Sequence, residues 1–176
     1  MSIRQDCAYA GIGSRETPQD ILFQMEDLAK YLCSCGWTLR SGGAQGADTA
    51  FEKGADAACQ RKEIFTVKSN IPDLAFEIAK IYHPTWFALN PFVKRLHARN
   101  AMQVLGEDLE TPSKFVVCWT PDGAETSTTS KTGGTGQAIR IANAYNIPVY
   151  NLANEGRYDK VKDICDCTLE QYSDYV

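Results

Sequence analysis

Two stretches of the chain hold glycines among small and hydroxylated residues, each after an apolar run and before a helical pattern. They are Ser41-Gly42-Gly43-Ala44-Gln45-Gly46 and Lys131-Thr132-Gly133-Gly134-Thr135-Gly136. Stripped of side chains, such a turn lets backbone N–H groups approach an anion, and the helix start that follows adds partial positive charge. A third stretch, Gly11-Ile12-Gly13-Ser14-Arg15, offers a sharp turn, a hydroxyl and a guanidinium whose forked donors suit phosphate. The Gly42–Gly46 segment matches neither G-x-G-x-x-G nor the Walker pattern, which also needs a Lys-Ser/Thr pair. Taken singly, the three stretches also read as a tight turn that binds nothing, a flexible polar loop and a solvated surface arginine. Two cradles in one chain point to a phosphate-bearing ligand. Asp48 and Thr49 fall in the first turn of the following helix, where the dipole favours an acid in any case.

The helix expected from Phe92 to Leu105 carries further candidates. On a wheel at about 100° per residue, Phe92, Val93, Leu96 and Val104 form an apolar face, with Asn100 inside it and His97 at its edge. A polar amide on such a face must find hydrogen bonds, either to a loop backbone or in orienting a ligand loop. Arg95 and Arg99 share the adjacent side, and Arg99 is the better ligand candidate because Lys80 to Arg99 is locally basic. His97 reads as a packed histidine. Tyr82, Trp86 and Phe87 flank His83-Pro84 and could stack a purine or pack on the core. Asp122, Glu125 and the Ser/Thr run to Ser130 resemble a mobile lid.

Strands and helices alternate along the chain in a way that can bring these residues together. CAYAGIG, WTLRS, EIFTV, KFVVCWT and IPVYNL read as strands. Helical spacing marks Ile21–Leu32, a helix from the first glycine loop to Cys59, Leu74–Tyr82, Phe92–Leu105, Gln137–Tyr145 and a short Tyr158–Cys165. Thr17 reads as an N-cap with Pro18 at the first helical position. The expected fold is an α/β, three-layer, Rossmann-like doubly wound parallel sheet of about five strands with helices on both faces. Ligands of such sheets bind beyond the strand carboxyl ends, where all three glycine stretches fall.

The 176 residues fit a single domain, residues 1–176, with 44% hydrophobic and 23% charged residues. No apolar run approaches the roughly 20 residues of a membrane span, and the N-terminus has no long apolar stretch of a secretory signal. No membrane partner is expected. Seven scattered cysteines, including the C-x-C pairs Cys33/Cys35 and Cys165/Cys167, read as reduced structural thiols of a cytoplasmic protein rather than metal ligands. No metal and no cofactor is expected. A net charge of −4 and a pI near 5.2 give no global field toward nucleic acid, which is therefore disfavoured as a partner without excluding a local patch.

The chain resembles the SMF/DprA–LOG (SLOG) superfamily, on its DprA side. AYAGIGSRETP is similar to the opening strand ending in G-S-R. SGGAQGADTAFEKGA resembles the pattern S-G-x-A-x-G-x-D-x-x-A-H, with Glu52 in place of the histidine and Phe51 displacing an alanine. HARNAMQ resembles the R-N-R segment with Ala101 for its second arginine, and TGGTGQAIRIA the last glycine loop. These segments run from Ala8 to about Leu152.

The resemblance implies a ligand site of Gly13, Ser14, Arg15, Gly42, Gly43, Gly46, Arg99, Gly133, Gly134 and Thr135, to which the reading of the helices adds Asp48 and Asn100. It also implies a compact version of the superfamily, of the kind found in bacteria and phages, that binds a nucleotide-type small molecule and senses or sequesters it. Pairing into a homodimer or higher homo-oligomer follows from the same resemblance. An alternative is a nucleoside-monophosphate N-glycosidase of the LOG kind, and another is DprA-like single-stranded DNA binding. LOG-type enzymes carry a glutamate where this chain has Arg140, and an arginine cannot take over a carboxylate's role. The reading therefore leans against an enzyme, with Glu52 and Glu125 as the only substitute carboxylates considered.

Overall fold

In the computed structural model, residues 7–173 are described, with side chains for residues 7–165. Five parallel strands form one sheet in the order β3-β2-β1-β4-β5. They are β1 (Ala8–Gly11), β2 (Thr38–Ser41), β3 (Lys62–Ile64), β4 (Val116–Cys118) and β5 (Val149–Asn151). Six helices connect and flank them: α1 (Gln19–Ser34), α2 (Ala47–Ala58), α3 (Asp73–Tyr82), α4 (Pro91–Leu105), α5 (Thr135–Ala144) and α6 (Arg157–Ser173). The strand order reverses beside β1, which pairs with β2 on one edge (Ala8 opposite Thr38) and with β4 on the other (Ala10 opposite Val116). That is the doubly wound topology expected from the alternation of elements.

Parallel strands must be covered on both faces, so their side chains are buried in both directions. All four residues of β1 and all three of β4 are buried. On one face, Met25, Leu28 and Leu32 of α1, Phe51 of α2 and Val161 of α6 pack with Tyr9, Leu39, Phe115 and Val117. On the other, Ile78 of α3, Met102 and Leu105 of α4 and Ile139 and Ile141 of α5 pack with Ala10, Val116 and Cys118. The small residues of β1 admit close approach of the layers. A Cβ on Gly11 would lie 2.7 Å from both Leu39 Cδ1 and Phe51 Cγ.

Several sequence expectations shift. Thr17 does not cap α1; the helix starts at Gln19 with Pro18 in the cap position, and the Thr17 hydroxyl donates to the Ser14 carbonyl at 2.6 Å. The last helix runs on to Ser173 instead of stopping near Cys165. Four of the cysteines expected as reduced thiols are paired, Cys33 with Cys59 and Cys35 with Cys165, at Cα separations of 5.8 and 6.6 Å. These pairs join α1 to the end of α2 and to α6. The Cys167 side chain lies outside the described residues. No described helix is long and apolar enough to cross a membrane.

Candidate functional site

Loops leaving the carboxyl ends of β1, β2 and β4 meet the side of α4 around a cleft of about 590 Å³. This is where the strand order reverses, the position at which open α/β sheets hold ligands. Gly13, Ser14, Arg15 and Glu16 form one wall, Ala44 and Asp48 a second, and Lys131 to Thr135 a third. Phe92, Val93, Leu96, His97, Arg99, Asn100 and Gln103 of α4 close the fourth side. Nine of the twelve expected ligand residues therefore line one cavity. Gly42, Gly43 and Gly46 do not.

Those three glycines serve contacts within the protein. A Cβ on Gly42 would meet Gln103 Nε2 at 2.4 Å and Arg99 Nη1 and Asp48 Oδ2 at 2.7 Å. Gly46, at φ +88°, lies against the backbone of Ser14 and Arg15, so its missing side chain lets the first two loops touch. Arg99 reaches into this region from α4. Its Nη1 donates to the Gly42 carbonyl at 2.5 Å, and its Nη2 stands 3.9 Å from Asp48 Oδ2. Asp48 in turn accepts from the Ala44 amide at 3.2 Å. The first glycine loop and the α2 N-terminus are thus occupied by the protein's own carboxylate and guanidinium. Burial pushes the Asp48 carboxyl up to about 6, against the opposing pull of Arg99 and of hydrogen bonds from Ala44, Ser41 and Gly42. Burial likewise lowers Arg99, whose Nε has no partner.

The second glycine loop is built differently. Asp122 Oδ2 accepts from the hydroxyls of Thr129 at 2.9 Å and Thr132 at 2.6 Å, and Thr129 and Thr132 form a capping box around the 3₁₀ turn Ser130–Thr132. These bonds hold the Asp122 carboxyl low, at about 2, although burial opposes them. The stretch expected as a mobile lid is thereby bound down. Arg140 adds to it, donating to Thr128 Oγ1 (3.0 Å), the Tyr82 carbonyl (2.7 Å) and Gln137 Oε1 (2.9 Å). Beyond this anchor Gly133 and Gly134 stand exposed, and a Cβ added to either meets nothing within 4 Å. No side chain caps the N-terminus of α5, and no acid occupies its first turn. Here the amides and the helix dipole face open space.

The face of α4 also turns out otherwise than expected. Its core side carries His97, Ala98, Ala101, Met102, Val104 and Leu105, while Phe92, Val93 and Leu96 look into the cleft. His97 packs on His83 with ring centroids 4.4 Å apart, and its Nδ1 is buried without a partner. Burial, with His83, Arg140 and Arg99 nearby, lowers it to about 4, so it is neutral at pH 7. Tyr82, Trp86 and Phe87 lie outside the cleft; Trp86 is buried and Phe87 is 84% exposed.

Both glutamates considered as catalysts lie outside the cleft and face a cation. Glu52 meets Lys62 at 2.8 Å. Glu125 is gripped by Arg157 through two bonds of 2.7 and 2.8 Å, which together with the Asn151 amide keep its carboxyl low against burial. Gln103, Phe92 and Lys131 line the cleft although sequence reasoning did not single them out as ligand residues. Gln103 follows Arg99 by four residues and so shares its helix side. Lys131 directly precedes the glycines that were chosen.

No family model matches the sequence, and no curated protein is similar to it. Solved structures are. The chain is 15% identical to DNA processing protein A of Helicobacter pylori, with a TM-score of 0.56, covering 94% of this chain and 81% of that one. It is 18% identical to DNA processing protein A (DprA) of Streptococcus pneumoniae, with a TM-score of 0.57, covering 96% of this chain and 57% of that one. The H. pylori structure describes a single-stranded DNA binding mode. That finding corrects the expectation, taken from net charge, that nucleic acid is a disfavoured partner. Net charge sums over the whole surface, whereas binding depends on the potential of one face. The sheet order, the helices on both faces and these likenesses together give the chain a Rossmann-like fold similar to that of DNA processing protein A.

Proposed function

We propose that the cleft binds the phosphate of a nucleotide or nucleotide-derived ligand, in a protein that senses or sequesters it in the cytoplasm. One observation carries the reading: the uncapped α5 N-terminus with exposed Gly133 and Gly134 shares a cavity with Arg15, Ser14 and Lys131. Donors from separate elements surround one volume, and its size lies within the range of small-molecule sites. Phe92, Val93 and Leu96 supply an apolar wall for a base or sugar. Calorimetric titration with AMP and with adenosine tests the claim. AMP should bind and adenosine should not, and the double variant Arg15→Ala/Lys131→Ala should abolish the difference. Equal affinity for the two compounds, or none for either, would sink it.

The second reading is that the nucleotide is a unit of single-stranded DNA. The H. pylori likeness favours it. Affinity for a labelled oligonucleotide should then fall with salt, with a slope of about −0.7 per phosphate neutralised.

A further inference from the structure

From Ile78 to Gly106 the sequence contains no aspartate or glutamate; all 22 acidic residues of the chain lie outside it. The same segment carries Lys80, Lys94, Arg95, Arg99 and both histidines. It comprises the end of α3, the 3₁₀ turn Trp86–Ala88 and α4. Two of its cations are committed inward, Arg99 to the Gly42 carbonyl and Arg95 to the Val67 carbonyl at 2.7 Å. Lys80 and Lys94 remain outside. Lys80 has an i,i+3 contact with Glu77 at 3.8 Å, an exposed pair of the kind that contributes little.

Large apolar side chains stand exposed on the same segment. Phe87 is 84% exposed, Ile81 70% and Phe92 58%. Lys80 Nζ lies 5.8 Å from the centroid of the Phe87 ring, and Lys94 Nζ lies 5.6 Å from that of Trp86. Phe92, which stands at the edge of this surface, also lines the cleft. Phe92 thus links the surface to the candidate site, and its chemistry is aromatic rings beside ammonium groups. Successive bases stack on such rings whatever their sequence, while the cations follow the phosphates.

Building on the single-stranded reading above, we infer that this ridge is a second binding surface for single-stranded nucleic acid, carrying the strand onward from the cleft over Phe92, Lys94, Phe87 and Lys80. An exposed aromatic patch with lysines beside it, on a chain of net charge −4, fits a polyanion with stacking faces better than a second copy of this acidic chain. The strand would hold one nucleotide phosphate in the cleft and lay the bases after it on the ridge.

The test measures fluorescence anisotropy with labelled single strands of about 4 and about 16 nucleotides, spanning the site sizes found for small domains, alongside calorimetry with AMP. Phe87→Ala and Lys94→Gln alter exposed or half-exposed side chains and leave the core untouched. Phe87→Ala should weaken the longer strand about tenfold, in the range of one lost stacking contact; Lys94→Gln should weaken it and reduce the salt slope by about 0.7; both should leave AMP affinity unchanged. An unchanged affinity for the longer strand, while Arg15→Ala/Lys131→Ala still weakens it, overturns the ridge and spares the cleft. No binding of any strand, with AMP still bound, overturns the ridge and the single-stranded reading together. Sedimentation that shows a dimer lost on Phe87→Ala, with strand affinity intact, assigns the ridge to self-association and overturns it as well.

Discussion

The two glycine loops read alike on paper and differ in three dimensions. Around Gly42 every space that a side chain would fill is held by Gln103, Arg99 and Asp48, whereas around Gly133 and Gly134 it is empty. Both precede helices, and both helices lack a side-chain cap on the residue before them. The first loop provides its own anion, Asp48, in the first turn of α2, and the second has none. Glycine thus marks close approach of something to the backbone, and only the surroundings tell whether that something is the protein itself or a visitor.

Removing Arg99 should show the largest effect of this difference. Arg99→Ala leaves Asp48 buried beside a cut hydrogen bond to the Gly42 carbonyl, and loss of one partner of a buried charge pair costs about 3–5 kcal/mol. Urea denaturation should show that loss whether or not nucleotide is present. A variant as stable as the parent would mean that Arg99 does not hold the first loop.

Asp48 gives a smaller effect that depends on pH. Its folded value is raised to about 6 from 3.8, so its contribution to stability is fully present below 3.8 and is lost as pH rises through about 6. The size is on the order of 3 kcal/mol, from roughly two units at about 1.4 kcal/mol each. His97 acts in the opposite sense: lowered to about 4, it contributes stability above 6.5 that is lost as pH falls through 4. The clean measure is the stability of Asp48→Asn minus that of the parent between pH 4 and pH 7, in which His97 cancels. That difference should grow with pH, and a flat difference would place Asp48 in a solvated setting.

A matched pair of alanines compares the loops directly. Gly42→Ala drives a Cβ into three polar side chains and should cost about 1–3 kcal/mol of stability. Gly134 has helical φ and ψ of −62° and −29° with open space beside it, so Gly134→Ala should change stability by less than about 1 kcal/mol. It should nevertheless weaken AMP at least about tenfold, close to 1.4 kcal/mol, because the methyl group would stand in the place proposed for the phosphate. Equal stability losses in both variants would erase the distinction drawn here.

The fold was readable because its signals are local and repeated. Ile21, Met25, Leu28 and Leu32 recur at helical spacing, and all are buried in α1. Strand centres showed equally well, as in Val116 to Cys118, while the end of β4 was overextended because Trp119 and Thr120 continue the pattern beyond the last ladder pair, Cys118 with Asn151. The cleft was legible where side chains are absent, at Gly13, Gly133 and Gly134. It was illegible where long-range partners decide, as with Arg99, which sits on the expected side of α4 yet is spent on a carbonyl 57 positions away. The α4 wheel failed for a related reason. Phe92, Val93 and Leu96 are as apolar as core residues, and periodicity alone does not say whether an apolar stripe meets a sheet or a cavity. Thr17, a good cap by type, was drawn instead to the Ser14 carbonyl by the turn of the first loop.

The acid-free stretch from Ile78 to Gly106 carries two lysines and two arginines on a chain of net charge −4. On the single-stranded reading, a polyanion approaching the end of α3 and α4 meets fewer carboxylates there than elsewhere on the sequence, which favours that side for first contact. Encounter geometry is then set at a distance by where carboxylates are missing, and a single glutamate introduced at an exposed position on α4 would blunt that orientation without touching a bound atom.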